Sequence, residues 1–353
     1  MRGYSKAAMG GYSLLVLIAV FIGLNEAWIA PFGVLMMIFS NFMNHPHFMA
    51  SYKLFFEMYP KIKTSEFQKT FQIRWWVAAI IVPLGLSILL VIGIVKYLHG
   101  DDFVLTLVIF LYGISVGWHY VKQGFGMAMS EAALKRCYWQ PKVRRWMLWN
   151  AYACWVFSMC LLFSAEGGVG FLGWYFPLER SSLQQWLLPA AIFFGITSVG
   201  VIIGIRRNIG YWRQIGKHQK DWPSAGLMGY LVSLYVWVAI GVSFPLLMLV
   251  IPFFHSMQYM HVVEKFYDNK EKKQSKQEKT RRWLYLIGWG FVLFWLIPGV
   301  LDYINSGKVN LMSQVGMLFT AAFWLFINIH HYFIDNVIWR KENKYIWESL
   351  NAC

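Results

Sequence analysis

The sequence predicts an all-α fold, a polytopic transmembrane helical bundle of about ten spans with both termini cytoplasmic. Three observations lead there. Apolar residues make up 58% of the chain and charged residues only 14%, leaving too little polar surface for a soluble globule of this size. Runs such as Trp75 to Val95 and Leu311 to Ile329 are long enough, at about 1.5 Å per residue, to cross a hydrocarbon core of roughly 30 Å. Basic residues, finally, gather in alternate connections between the apolar runs.

The predicted spans are residues 8–24, 28–43, 73–97, 103–122, 146–165, 186–205, 226–242, 244–261, 283–300 and 312–333. The first run continues after Asn25-Glu26 into a second apolar stretch and lacks a small-residue cleavage site. It therefore reads as half of a hairpin and not as a cleavable signal. Lys53, Lys61, Lys63 and Lys69 follow the second span; Lys135, Arg136, Lys142, Arg144 and Arg145 follow the fourth; Arg206, Arg207, Arg213, Lys217 and Lys220 follow the sixth. The positive-inside rule places all three loops in the cytoplasm. Lys265 to Arg282 is basic as well, so Gly226 to His261 must enter and return, turning near Ser243-Phe244-Pro245. The opposite connections, Asn25 to Ala30, His99 to Asp102, Gly167 to Arg180 and Asp302 to Lys308, carry few cations. The whole of 1–353 reads as a single integral-membrane domain, with 264–282 a mobile, basic, cytoplasmic loop. A bacterial inner membrane is the expected location.

The formal charge of +15 has the same explanation. Its excess sits in inner loops facing an anionic leaflet, and no nucleic-acid-binding module accompanies it, so nucleic acid is not an expected partner. Cys137, Cys154, Cys160 and Cys353 lack CxxC spacing and indicate neither a disulfide framework nor a metal motif. Gly124 and Gly126 do not form a phosphate-binding loop. No internal repeat is evident, except that four of the five even-numbered spans carry histidine at their inner end.

That regularity directs the functional reading. Asn44-His45-Pro46-His47 closes span two, His119 lies in the last turn of span four, His255 and His261 lie in span eight, and His330-His331 close span ten. A single histidine near a membrane helix end reads as an interfacial polar residue. Seven at one level read differently, because ionisable groups at membrane depth are costly and face the bundle interior. Neutral imidazole is the common protein ligand for intermediate transition metals, and metal sites of helical bundles are built between facing helices. His45, His47, His119, His255, His261, His330, His331 and Asp335 are thus the candidate metal ligands, with His119, His255, His330 and His331 also the candidate catalytic residues. His261 follows His255 by six residues, about 9 Å along a helix, so one of the two is expected outside the ligand set. Asp335 lies four residues after His331 and shares its helix face. It either orients the imidazole through the second ring N–H or binds metal itself. His255 and Gln258, three apart, also face together. Pro46 favours extended backbone at His45, which would point His45 and His47 to one side; in a helix they would diverge. His99 and His218 read as loop residues, and the many Trp and Tyr as interfacial belt and core.

Many imidazoles with few acids suit iron and oxygen chemistry. The general arrangement resembles membrane fatty-acid desaturases and hydroxylases, although complete HxxxH and HxxHH boxes are absent. The distribution of His47, His119, His255 and His330 or His331 over several helix ends also looks like the bacterial Brp/Blh family of multi-spanning carotenoid-cleaving dioxygenases. That resemblance implies histidine-ligated iron and an apolar, lipid-like substrate; His261 and the His331/Asp335 pair have no counterpart in it. The expected function is a membrane-embedded metal-dependent oxygenase or oxidoreductase using one or two iron ions, with zinc or another transition metal as alternatives. Expected partners are the lipid membrane, an apolar small molecule and, for a mono-oxygenase or desaturase, a cytoplasmic electron donor. The competing reading is a multi-pass transporter using the histidines for proton or metal transfer. A haem electron-transfer protein would want ligands at two depths, and the outer side offers only His99.

Overall fold

The computed structural model describes residues 5–22, 26–63, 67–164, 170–171, 174–175, 180–216, 222–243, 251–271, 274–306 and 317–351. The expected turn at Phe244-Pro245, the first residues of the eighth span, His218, Lys217, Lys220 and Lys308 lie outside them. Among the described residues the regular structure is helical, apart from two-residue strands β1 (Gly170–Phe171) and β2 (Trp174–Tyr175), paired antiparallel.

In chain order, the segment Ala7–Gly11, kinked at Gly10, leads into α1 (Tyr12–Ile22), followed by α2 (Glu26–Glu57), α3 (Tyr59–Lys63) and α4 (Lys69–Trp76). A π turn, Val77–Ile81, joins α4 to α5 (Val82–Leu98), and then come α6 (Phe103–Leu134), α7 (Pro141–Ser164) and α8 (Arg180–Gln214). α9 (Ala225–Leu231) and α10 (Trp237–Ser243) flank the π turn Val232–Val236 and precede α11 (Ile251–Lys270). α12 (Lys276–Phe291) and α13 (Ile297–Ser306) flank the π turn Val292–Leu296, and α14 (Leu318–Ile338) and α15 (Lys344–Asn351) close the chain.

Among the described residues, four helical segments are long and apolar enough to cross a membrane: Lys69–Leu98, Phe103–Leu134, Gln184–Gln214 and Lys276–Ser306. Ala7–Ala19 and Ala225–Gly241 are apolar but shorter. Side-chain exposure supports the membrane reading. Ile80, Leu84, Ile88, Val91 and Val95 stand exposed along one face at helical spacing, as do Leu188, Ile192, Ile196, Val199 and Ile203 of α8. Apolar stripes of that length belong against hydrocarbon, not water.

Helices extend beyond the apolar runs. α2 continues to Glu57, so Asn44-His45-Pro46-His47 is helical and not the extended segment that Pro46 favours locally. The cause is tertiary: Phe48, Met49, Ala50, Leu54 and Phe55 are buried in helical register and outweigh the local preference of one proline. Residues 264–282, expected as a loop, are helical through Lys270 and again from Lys276. Ser275 caps α12, its hydroxyl accepting from Glu278 N–H while the Glu278 carboxylate accepts from Ser275 N–H. Arg282 pairs with Glu264 at 2.6 Å and stacks 4.5 Å from the Tyr267 ring.

The chain divides into two compact units, and the division falls within α2, α6 and α11. Unit 1 comprises Met1–Ser40, Gly117–Gly168 and Pro177–Val262. One of its cores gathers Met147, Ala151, Cys154, Val201, Trp212, Leu227, Tyr230 and Leu234. At its centre the fully buried Asn150 uses its whole amide. Its Nδ2 donates to Thr197 and Ser198, and its Oδ1 accepts from the hydroxyls of Tyr230 and Tyr235 at 2.8 and 2.9 Å. Complete pairing is what lets so polar a group sit there.

Unit 2 comprises Asn41–Val116, Val169–Phe176 and Val263–Cys353. Leu90, Leu105, Val108, Ile109, Leu318, Ala322 and Leu325 pack α5, the start of α6 and α14 together. Met317 supplies no side-chain cap to α14; Asp302 does instead, accepting from the N–H groups of Phe319 and Thr320 at 2.7 and 3.0 Å and from the Thr320 hydroxyl. A carboxylate at a helix N-terminus also meets the positive end of the dipole. At another edge, Glu57 accepts from Lys53, from Lys270 at 3.1 Å, and from the hydroxyls of Tyr267 and Tyr345 at 3.0 and 3.1 Å. This carboxylate ties α2, α11 and α15 into one layer.

Candidate metal centre

Unit 1 brings together His119 of α6 and His255 of α11, whose ring centroids lie 4.9 Å apart at a steep angle. An amide clamp sets the register of these helices. Gln123, one turn after His119, donates to the His255 carbonyl at 3.0 Å and to Gln258 Oε1 at 3.2 Å. Gln258, one turn after His255, donates to the Met9 carbonyl at 2.8 Å. Tyr120 lies 4.5 Å from the His255 ring. The i,i+3 relation of His255 and Gln258 was legible in the sequence; Gln123 and its bond to Gln258 emerged only with the fold.

Unit 2 brings together His47 of α2 and His331 of α14, 4.5 Å apart and nearly perpendicular. Phe48 wedges edge-on against His331 at 4.8 Å. Asp335 sits one turn after His331, with Oδ2 3.3 Å from His331 Nε2, as their spacing requires. Both side chains are buried.

These four histidines, His47, His119, His255 and His331, form a buried group that could hold a metal ion. One ring nitrogen from each lies within 4.8 Å of the others. Four nitrogens bound at about 2.0–2.1 Å to a tetrahedral ion would stand roughly 3.3–3.4 Å apart.

The other candidates are placed differently. His45 diverges from His47, as a helix demands, and stacks on Phe294 at 4.0 Å with Trp324 edge-on at 5.8 Å. Gly290 makes this possible, since a Cβ there would stand 2.8 Å from the His45 Cβ. His261 accepts from the Ser5 N–H at 3.0 Å, holding the N-terminal segment. His330 has both ring nitrogens in protein hydrogen bonds, to Tyr52 and to the Ala78 carbonyl. His99 ends α5, exposed, with Nδ1 2.8 Å from the Val95 carbonyl, in keeping with its reading as a loop residue.

One regularity was invisible in the sequence. Three of the four helices carrying a histidine of the group are preceded in the chain by a π turn: Val77–Ile81 before α6, Val232–Val236 before α11, and Val292–Leu296 before α14; α2 is preceded by the kink at Gly10. Among the described residues, α7 and α8 have neither a histidine nor a π turn. A carbonyl in each π turn accepts from a side chain, Ala78 from His330, Leu234 from Cys154 and Phe294 from Trp324, and at the kink Met9 accepts from Gln258. π turns recur at functional sites, where they re-aim the groups around them. No family model, curated protein or solved structure matches this chain, so its functional reading rests on the geometry of these histidines.

Proposed function

We propose that this chain is a membrane-embedded, non-haem iron oxygenase or oxidoreductase acting on an apolar or lipid-like substrate at the cytoplasmic side. The observation that carries the reading is the buried group of His47, His119, His255 and His331. Imidazole is a borderline ligand suited to iron, and these four histidines would hold such an ion. Bound there, iron would supply the activation of dioxygen. The protein's part is to hold and shield. His119 and His255 are set by the Gln123 amide, while the Asp335 carboxylate, 3.3 Å from His331 Nε2, would orient that ring or itself bind the ion. Burial of the group excludes water, and the lipid-facing helices give a hydrocarbon substrate a route that avoids the aqueous phase.

The reading includes ten spans, both termini in the cytoplasm, a bacterial inner membrane, and basic inner loops that would receive an electron donor if the reaction needs one. Charge asymmetry between alternate loops supports the orientation. The test is elemental analysis of the purified full-length protein, with anomalous scattering at the iron edge, beside assays of conversion and of uptake in protein-containing vesicles. Iron near one per chain with oxygen consumption supports the proposal. Zinc at full occupancy without turnover, or solute uptake without conversion, rejects it.

A further inference from the structure

His330 lies beside a member of the histidine group, yet its surroundings differ from those of the other four rings. Its Nε2 stands 2.8 Å from the Ala78 carbonyl, and a carbonyl only accepts, so Nε2 bears the proton. Nδ1 is then the lone-pair nitrogen, and it accepts from the Tyr52 hydroxyl at 2.7 Å. Both ring nitrogens are engaged, and the tautomer is set by the backbone.

The Ala78 acceptor exists because of the π turn. In a regular helix the Val82 N–H would bond to Ala78, but here it bonds to the Val77 carbonyl, one residue further back. The Ala78 carbonyl thereby loses its helical donor and takes the imidazole instead. Phe294 shows the same trade by another route. Its fourth neighbour along the chain is Pro298, which has no N–H, and the indole of Trp324 donates to the carbonyl at 2.9 Å.

Tyr52 and His47 share α2, and His330 and His331 share α14. The Tyr52–His330–Ala78 chain therefore pins the register and rotation of the two helices that carry the His47–His331 pair. We propose that His330 is a positioning residue of the metal centre and not one of its ligands, acting with Tyr52 and the π-turn carbonyl of Ala78 to hold His331 in ligating orientation. The proposal rests on the metal-binding reading above and assigns a role within it.

The test uses the full-length protein loaded with cobalt(II), whose visible absorption reports the ligand set. Gln at position 330 can donate to the Ala78 carbonyl while its own carbonyl accepts from Tyr52. His330→Gln is expected to keep one ion per chain, unchanged band positions and an affinity within about threefold of wild type. His330→Leu and Tyr52→Phe are expected to keep the band positions but weaken binding, His330→Leu by about 10–100-fold. His331→Ala should shift the bands or abolish binding. Bands moved by His330→Gln as they are by His331→Ala would make His330 a ligand and overturn the proposal, as would unchanged affinity in a folded His330→Leu protein. A wild-type chain that binds no cobalt, iron or zinc would remove the metal-binding reading and this proposal together.

Discussion

The two histidine pairs are built alike and held differently. His119 and His255 are set by neutral amides, Gln123 and Gln258, which act on backbone carbonyls and leave the rings themselves untouched. His47 and His331 are set through the rings' neighbours: a carboxylate on His331 and an imidazole–phenol–carbonyl chain one residue away. Amide clamps fix helix register without changing charge. A carboxylate also makes its imidazole a stronger donor and offsets part of the charge of a bound cation. The unit 2 pair should therefore govern how tightly a cation is held, and the unit 1 pair where its partners stand.

Whether the pairs serve one ion or two gives the largest effect. If one ion is shared, His119→Ala combined with His255→Ala will remove essentially all bound metal and all turnover. The matching His47→Ala, His331→Ala variant will do the same. Two independent sites would leave about half the metal in each double variant, measured by elemental analysis of monodisperse protein, and that result would sink the shared-ion reading.

Next in size is the contrast between the clamps. Asp335→Asn keeps the shape but loses the anionic acceptor, and metal affinity should fall by about 10–100-fold. Gln123→Leu should change affinity less and stability more, by about 1–2 kcal/mol, because its hydrogen bonds hold helices and not the ring. Competitive chelator titration and thermal melting of the apo-protein separate the two quantities. Equal affinity losses would erase the proposed division of labour.

Much of this site could be read from the sequence, for definite reasons. Apolar runs longer than a bilayer is thick announce helices whatever surrounds them, and Lys69–Leu98 and Gln184–Gln214 emerged where expected. The helix ends did not, because Glu57, Glu264 and Tyr267 are held in helix by partners far along the chain. The residue type of the site was legible in seven histidines. The choice among them was not, since a 100° step per residue sends His45 to an aromatic stack and His47 to a histidine, and only packing sets the zero of that rotation. The π turns were unreadable for a similar reason: Ala78 freed its carbonyl to receive a side chain 252 residues away.

A smaller effect probes the close approach behind His45. Gly290→Ala puts a methyl group 2.8 Å from the His45 Cβ, and α12 must shift to admit it. The expected cost is about 1–3 kcal/mol of stability. Metal affinity should scarcely move, because His45 stacks on Phe294 and stands apart from the group of four. A large loss of metal in a stable Gly290→Ala protein would instead make the His45 stack part of the site.

The smallest effect lies away from both pairs, where Glu57 joins α2, α11 and α15. Burial opposes its ionisation, but hydrogen bonding and charge from Lys53, then Lys270, prevail and hold its pKa below the ordinary glutamate value of 4.5. A carboxyl with a depressed folded-state pKa contributes stability that is complete above its unfolded value and is lost as pH falls through its folded value. Acidification below about pH 4.5 should therefore loosen α15 while the buried histidine group, which lacks this carboxylate, keeps its arrangement. Hydrogen exchange across residues 344–351 measures this directly. Glu57→Gln should exchange faster there at neutral pH and lose the acid-side step, because the amide retains a weak acceptor for Tyr267 and Tyr345 but no charge for Lys53 or Lys270 to engage. An acid step that survives in Glu57→Gln would assign it to another carboxylate and separate the docking of α15 from Glu57.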